Sequence, residues 1–338
     1  MRACEANAAP AFGRPLLWML AISRDIHQMR ILKSLVLLLV AVLVLPFGQL
    51  RAEGKLELQK VTADVYAIVG EPGNRTADNL GNNATFGFVI TSEGVVLIDS
   101  GGTYQGAQRI DRLIKSVTDK PVVRVINTGG QDHRWLGNGY FKNQGAQIIA
   151  SVAAVKDQKA RTQDQFILLA NLVGEKIVKE TDPVYAERTF DEHFEFGLGG
   201  TIFKLSHSGQ AHTPGDSFVW LPQKKVMFTG DIVYVERMLG IGSQSNSKSW
   251  IEVFQTMAAF KPRYLIPGHG HATDLARATK DTYDYLVFLR KSVSDFMENG
   301  GDLSAISSLD QTKFNYLLNY QEIAGSNAQK VFTEMEWE

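Results

Sequence analysis

Residues 122–138, VVRVINTGGQDHRWLGN, decide the fold of this chain. Residues 122–126 are a short, β-branched, apolar run with one charge, which predicts a buried strand. The turn residues 127–130 end that strand, and the polar group 131–134 follows at once. These polar side chains are therefore predicted to lie on a loop at the carboxyl end of the strand. In layered α/β folds this is the edge of the sheet where ligands collect.

Three other stretches carry similar chemistry. His212 lies in AHTPGD, Asp231 in MFTGD and His269 in LIPGHG, and each follows, or lies just outside, a strand-like run. Imidazole nitrogens and carboxylate oxygens are the ligands that zinc prefers in sites without cysteine. Four loops that bring such groups to one edge of a sheet predict a metal site.

The order of these motifs, from residue 56 to residue 271, resembles the metallo-β-lactamase-fold hydrolases. Periodicity alone predicts an α/β or α+β fold, and the resemblance implies a four-layered αββα sandwich. It also implies a metal-dependent hydrolase, and it implies that Asp99 supports the metal site without binding the ion. The chain departs from the family in its first motif, where H-x-H-x-D-H is replaced by GGQDHR.

Two alignments of the first motif are open. Without a gap, Gly129 and Gln131 fall on the two leading histidines, His133 on the aspartate and Arg134 on the last histidine. A shift by one residue instead matches Asp132 and His133 to the family's Asp-His pair. We prefer the shifted alignment because it keeps two side chains that can bind a metal.

The resemblance then gives a ligand count. Asp132, His133 and His269 would form one metal site, and Asp231 would be placed to bridge two metals. The other site keeps only His212. We therefore expect one Zn²⁺ per chain, with iron or manganese as alternatives, because His/Asp sites suit all three metals. Asp132 and Asp231 are the candidate catalytic residues, which would orient the attacking water or take its proton.

Two function classes are consistent with these residues. The first is a hydrolase that acts on an ester, thioester or amide carbonyl of a small molecule, with β-lactams and glutathione thioesters as the best-known substrates of the family. The second is a catalytically degenerate accessory or binding protein. Five retained ligand types favour the hydrolase. Gln131, Arg134 and Asn82 are candidate substrate-binding residues, although Asn82 is better explained as a turn former.

Composition limits the partners. The chain has 338 residues and a formal net charge of −1. Neither nucleic acid nor an anionic membrane is therefore an expected electrostatic partner. The single cysteine, Cys4, lies in residues 1–28, which we interpret as an over-extended N-terminus before a second start at Met29. The mature chain would then have no cysteine, and so neither a disulfide nor a thiolate ligand.

Residues 29–52 have the layout of a signal peptide. Arg30 and Lys33 form a basic start, residues 35–45 an apolar core, and residues 46–48 break it. The apolar core is short for a membrane span. We expect a periplasmic or secreted protein without stable membrane association, and the alternative is an uncleaved signal anchor.

The rest of the chain divides at residue 272. Residues 53–272 are predicted to form the metallo-β-lactamase-like domain. Residues 273–338 are rich in helix formers, and the pair Gly300 and Gly301 ends the first long helical stretch. We interpret these residues as a helical extension packed on the sandwich, and a homodimer contact through the same helices is the alternative.

We expect the exported protein to begin near Glu53 and to be recovered in the soluble periplasmic or secreted fraction. N-terminal sequencing of that material tests the cleavage site. A mature chain that keeps residues 35–45 in the membrane fraction would contradict the prediction.

Overall fold

The computed structural model of the protein describes residues 54–338, and two β-sheets form its centre. The predicted segments 1–28 and 29–52 lie outside the described residues. The first sheet has seven strands in sequential order. Strands β1 to β4 are antiparallel and β4 to β7 are parallel. The strands are β1 (Glu57–Lys60), β2 (Val65–Val69), β3 (Thr85–Thr91), β4 (Gly94–Ile98), β5 (Val122–Asn127), β6 (Gln147–Ser151) and β7 (Arg188–Phe190).

The second sheet has five strands in the order β12-β11-β10-β9-β8. Only the β11–β12 pair is parallel, and it aligns Phe228 with Ile266. A turn at Gly199 and Gly200 joins β8 to β9, with Leu198 paired to Thr201. The strands are β8 (His193–Leu198), β9 (Thr201–Ser206), β10 (Phe218–Leu221), β11 (Val226–Phe228) and β12 (Tyr264–Ile266).

The helices lie outside the sheets. Residues 152–173 form one helix, which Ser151 caps by accepting a hydrogen bond from the backbone N–H of Ala154. A π-helical segment, Thr279–Tyr283, lies within the C-terminal helical region. The α-helices of the described residues are α1 (Tyr104–Lys115), α2 (Asp132–Trp135), α3 (Asn138–Asn143), α4 (Val152–Val173), α5 (Glu175–Val178), α6 (Ser247–Ala258), α7 (Leu275–Ala278), α8 (Asp284–Glu298) and α9 (Tyr320–Met335).

Alternate side chains of a strand pack on opposite faces of its sheet, and both faces are covered, so the protein has four layers. In β2, Val65 and Val69 pack against the second sheet, whereas Tyr66 and Ile68 belong to the cluster formed with α1. Because successive side chains of a strand point to opposite faces, a strand covered on both sides is apolar at every position. All five residues of β2 are buried. The outer face of the second sheet packs against α6, α8 and α9. The predicted αββα sandwich is confirmed.

The C-terminal helices belong to the same compact unit as the two sheets. Asn327 of α9 is fully buried and bonds a loop near the sheet edge. Its Oδ1 accepts from the backbone N–H of Ile241 at 2.8 Å, and its Nδ2 donates to the carbonyl of Leu239 at 2.8 Å and to the Tyr285 hydroxyl at 2.9 Å. Among residues 54–338, no helix is both long and apolar enough to span a membrane.

We expect Asn327→Ala to lower the free energy of unfolding by about 2–4 kcal/mol, because it leaves buried polar groups of the loop and Tyr285 without partners. Urea denaturation measures the change. Asn315→Ala is the matched control, since Asn315 is exposed. A loss for Asn327→Ala no larger than that of the control would contradict the role given to Asn327.

Candidate metal centre

Three side chains from three loops meet at one edge of the sandwich. His133 lies in α2 just after β5, Asp231 follows β11, and His269 follows β12. All three are buried, and one ligand atom from each lies within 4.8 Å of the other two. Nε2 of His133 lies 3.3 Å from Asp231 Oδ2, and Nε2 of His269 lies 3.3 Å from Asp231 Oδ1. We call these three residues the central triad.

The turn that carries Asp231 depends on Gly230. Its φ of +50° lies in the left-handed region, which disfavours residues with a Cβ atom. A Cβ at this position would also lie 2.1 Å from Oγ1 of Thr128. Glycine therefore lets the loop after β11 press against the loop after β5. This close approach brings Asp231 to His133.

The hydrogen bonds of His269 fix its tautomer. Nδ1 lies 3.0 Å from the carbonyl oxygen of Asn83, which only accepts, so Nδ1 carries the proton. Burial lowers the pKa of His269 well below its usual value, so the ring is neutral. Nε2 thus presents a lone pair to the Asp231 carboxylate. Burial acts to raise the pKa of Asp231, but Arg134 and His133 outweigh it and hold this pKa well below its usual range. Two lone pairs facing each other repel unless a cation lies between them.

The spacing of the central triad suits one metal ion. With bonds of about 2.0–2.1 Å, the ligand atoms of a tetrahedral zinc site lie roughly 3.3–3.5 Å apart. The two histidine–Asp231 distances, each to a different carboxylate oxygen, are 3.3 Å and so are close to that spacing. Two imidazoles and one carboxylate also leave a coordination position for water, as in catalytic zinc sites. The central triad therefore fits a single ion.

Arg134 lies beneath the triad and is fully buried. Its Nε and Nη2 donate to the two oxygens of Asp231, at 3.1 and 2.6 Å. Nη1 donates to Asp99 Oδ2 and to the carbonyl of Thr85, both at 2.9 Å, and Nη2 also donates to the carbonyl of Gly268 at 2.9 Å. All five N–H groups of the guanidinium are used. Arg134 therefore has no donor left for a substrate, contrary to our expectation from the sequence.

Asp132 is not brought into the central triad, which disagrees with its prediction as a metal ligand. Consecutive residues of a helix point about 100° apart, so Asp132 and His133 diverge within α2. Asp132 Oδ1 accepts from Arg75 Nε at 3.0 Å and lies 3.3 Å from His133 Nδ1, the ring nitrogen that faces away from Asp231. Burial acts to raise the pKa of Asp132, but Arg75 and His133 hold it below its usual range. Asp132 is thus placed to orient His133, as carboxylates do for metal-binding histidines.

His212 lies beside the triad rather than within it. Its Nδ1 lies 3.0 Å from the carbonyl oxygen of Gly240, so this nitrogen is the donor. Burial lowers the pKa of His212 to about 4, and the ring is neutral at pH 7. The place of the family's first histidine is filled, because a Cβ at Gly129 would lie 2.4 Å from Oδ1 of Asp216. Among residues 54–338, His212 is therefore the one imidazole that corresponds to a ligand of the family's first metal site.

The two remaining sequence candidates have different surroundings. Asn82 is fully buried; its Nδ2 donates to the carbonyl of Gly106 at 3.0 Å, and its Oδ1 accepts from Gly102 N at 3.0 Å. It holds two loops together, as the turn-former interpretation expects, and does not line the cavity. Gln131 does line a cavity of about 380 Å³ above the triad. The other lining residues are Arg75, Asn83, His133, Arg161, Leu168, His212, Tyr234, Arg237, Gly240, Gly242, Ser243, Gln244 and His269.

Tyr234 is a site residue that the sequence interpretation missed. It lies three positions after Asp231 in the same loop, and its ring stacks on His269 with centroids 4.5 Å apart. Within residues 54–338 its hydroxyl has no hydrogen-bond partner. Burial first, and then the charge of Asp231, raise its pKa well above the usual value, so the hydroxyl keeps its proton. Its position after the FTGD motif was the only signal in the sequence.

The αββα sandwich and the His–Asp–His triad at the edge of its sheets define a class of metal-binding α/β proteins. The family model of the metallo-beta-lactamase superfamily matches residues 81–269. The chain belongs to this superfamily.

Relatives and solved structures agree with this assignment. The metallo-beta-lactamase type 2 of Elizabethkingia meningoseptica is 26% identical over 227 residues, covering 66% of this chain and 81% of the relative. The metallo-beta-lactamase IND-1 of Chryseobacterium indologenes is 24% identical, and the match covers 70% of this chain and 91% of the relative. A metallo-beta-lactamase from Pontibacter korlensis superposes with a TM-score of 0.54 at 22% identity, covering 69% of this chain and 99% of that chain. The inverting sec-alkylsulfatase Pisa1 of Pseudomonas sp. has a TM-score of 0.64 at 15% identity, and the match covers 82% of this chain and 50% of the sulfatase chain.

The geometry favours the gapless alignment of the first motif. In that alignment His133 stands at the family's aspartate position and Arg134 at the last histidine, and both of these side chains contact Asp231. The shifted alignment, which we preferred from the sequence, requires Asp132 in the same cluster. Matching by residue type could not reveal which neighbouring side chain points inward.

We expect Arg134→Met, in metal-free protein, to lower the free energy of unfolding by roughly 3–5 kcal/mol, since two buried carboxylates lose their partner. Urea denaturation after treatment with a chelator measures this. Arg112→Met, at an exposed position of α1, is the control. A variant as stable as the control would show that Asp99 and Asp231 do not depend on the guanidinium.

Proposed function

We propose that this protein is a metal-dependent hydrolase that cleaves an ester, thioester or amide bond with one zinc ion per chain. The observation that carries the proposal is the lone pair of His269 Nε2 facing the Asp231 carboxylate at 3.3 Å, with His133 on the other carboxylate oxygen. His133, Asp231 and His269 would hold the ion. When bound, zinc would supply a Lewis acid that lowers the pKa of a water molecule.

His212 is the proposed proton acceptor. Because Nδ1 donates to the Gly240 carbonyl, Nε2 keeps its lone pair, and the neutral ring lines the cavity. Asp231, which we predicted to be catalytic, is a weaker base because Arg134 donates to both of its oxygens. Asp132 is occupied by Arg75 and supports His133. The proton of an attacking water in the cavity would therefore pass to His212.

Tyr234 is the proposed donor to the reacting carbonyl. Its hydroxyl keeps its proton and is free of protein partners in the described chain. A hydrogen bond from a fixed donor stabilises the negative charge that develops on a carbonyl oxygen during hydrolysis. The donor is held in place by the stacking of its ring on His269.

The predicted signal peptide supports a periplasmic or extracellular site of action for this hydrolase. The curated relatives are metallo-beta-lactamases, so a cephalosporin belongs in the first substrate panel. The panel also includes phenyl acetate, an acyl thioester and an aryl sulfate, the last because of the sulfatase among the structural neighbours.

The second candidate function is a binding protein without hydrolytic activity. The observation that favours it is the loss of the first metal site, where Asp216 occupies the space that a side chain at Gly129 would need. Such a protein would hold a small molecule in the same cavity. The two functions differ in whether zinc-loaded protein turns over any member of the panel.

We expect purified protein to retain about one zinc per chain after dialysis and to hydrolyse at least one panel substrate. His269→Ala should lose both properties. Asp132→Ala should keep a weaker site, with zinc affinity reduced roughly 10–100-fold, as for residues that orient metal ligands. Elemental analysis and hydrolysis rates measure these changes, and His193→Ala is the control, because His193 is an exposed histidine at the start of β8.

Tyr234→Phe adds a mechanistic test. It should keep the zinc and lower kcat roughly 100-fold, as the loss of one oxyanion donor does elsewhere. Zinc-loaded wild type that hydrolyses no member of the panel would favour the binding protein. An Asp132→Ala protein as devoid of zinc as His269→Ala would restore Asp132 as a ligand.

A further inference from the structure

Trp337 is the most exposed large apolar side chain of residues 54–338, with 88% of its surface open to solvent. The other tryptophans of that range, Trp135, Trp220 and Trp250, are buried. Tryptophan carries a large apolar surface, and it is among the side chains that most often anchor contacts between proteins. Trp337 is therefore a candidate anchor for a partner.

The backbone around Trp337 is held in place. Glu334 accepts a hydrogen bond from the backbone N–H of Ser247 at 3.0 Å, at the start of α6. Trp337 N donates to the carbonyl of Glu334 at 3.3 Å, and on the other side Glu338 accepts from Arg290 Nη2 at 2.8 Å. The indole thus projects from a fixed segment, which reduces the entropy that is lost when it binds.

An open apolar groove of about 730 Å³ lies between α4 and α5. Its apolar lining consists of Phe166, Ile167, Ala170 and Val178. Ile167 is 55% exposed, which is the second highest value for a large apolar side chain in the described part of the chain. Exposed apolar surfaces that form a groove mark sites of contact with other proteins. The two most exposed apolar side chains therefore belong to a projecting anchor and to a groove that can receive one.

The charges beside the indole and in the groove are complementary. Lys176 and Lys179 line the groove, are exposed and form no ion pair within residues 54–338. Glu175 lines it too, so the groove keeps one positive charge in excess. Glu336, which precedes Trp337, is exposed and is likewise without an ion-pair partner in the described chain. Complementary charges favour one orientation of a contact between these surfaces.

We propose that Trp337 of one molecule docks in the groove between α4 and α5 of a second copy. Glu336 then lies against Lys176 and Lys179. The chain itself supplies the occupant, because it carries both the exposed indole and an acidic neighbour that fits the basic groove. This inference concerns assembly and does not rest on the proposed function.

The two surfaces lie on opposite outer layers of the sandwich. Met335 packs with the helices that cover the second sheet, whereas Ala154 of α4 packs on Ala150 at the outer face of the first sheet. One partner cannot contact both surfaces at once, so the contact is head-to-tail. Such contacts build chains, or rings if the rotation closes.

Sedimentation velocity over a concentration series up to about 1 mM measures this assembly, because a contact made by one indole is small and weak. Wild type should pass reversibly from monomers to species larger than pairs. Trp337→Ala and Ile167→Asp should each weaken association at least tenfold, and both should fold because both positions are exposed. A wild type that stays monomeric throughout the series would overturn the inference.

A mixture of these two variants is the decisive test. Ile167→Asp keeps the indole and Trp337→Ala keeps the groove, so together they should form one-to-one pairs and nothing larger. A mixture that associates no more than each variant alone would contradict head-to-tail docking. So would wild-type pairs that both variants leave intact, as expected for a symmetric dimer through the C-terminal helices.

Reversal of the charges tests the orientation of the contact. Glu336→Lys should weaken association severalfold, since exposed ion pairs contribute little. Lys176→Glu together with Lys179→Glu, added to Glu336→Lys, should restore it. A combined variant that does not recover would contradict the pairing of Glu336 with the two lysines.

Two exposed apolar residues outside the groove provide matched controls. Val152→Asp, at the start of the same helix as Ile167, and Leu303→Ala should associate as the wild type does. Association reduced by these changes as strongly as by Ile167→Asp would show that the groove is not the docking site.

Discussion

The buried guanidinium of Arg134 is the interaction on which the centre depends. It donates to Asp99 after β4, to Thr85 in β3, to Asp231 after β11 and to Gly268 after β12. It therefore connects β3 and three loops, which belong to both sheets, at one edge of the sandwich. A buried cation is tolerable only because two carboxylates and two carbonyls replace its water. The same bonds hold both oxygens of Asp231 in place for the two histidines.

This arrangement also explains why the first motif tolerates its departure from the family. Asp216 takes the space beside Gly129, and Arg134 stands where the gapless alignment places a histidine. A guanidinium stays protonated and has no lone pair for a metal. One position of the family's centre is thus filled by a permanent protein cation. His133, His269 and Asp231 are left as the candidate ligands of the proposed single metal site.

The C-terminal region contributes to the site although none of its residues lines the cavity. Asn327 holds residues 239 and 241, and His212 bonds to Gly240 between them. Leu318 fixes the backbone on both sides of Arg237. The helices beyond the sandwich therefore position the loop that closes one wall of the cavity, and changes there are expected to reach the site through backbone hydrogen bonds.

The sequence by itself predicted an α/β or α+β fold, and the resemblance of its motif order implied the sandwich. Strand-like runs followed by polar loops are local patterns, so they placed His133, Asp231 and His269 among the groups expected at one edge of a sheet. Only the tertiary structure decided between Asp132 and Arg134, because neighbours in a single helical turn diverge by about 100° and residue type does not show which one turns inward. Tyr234 was missed for a related reason. Its ring stacks on His269, and a contact between residues that are distant in the chain is made only when the chain folds.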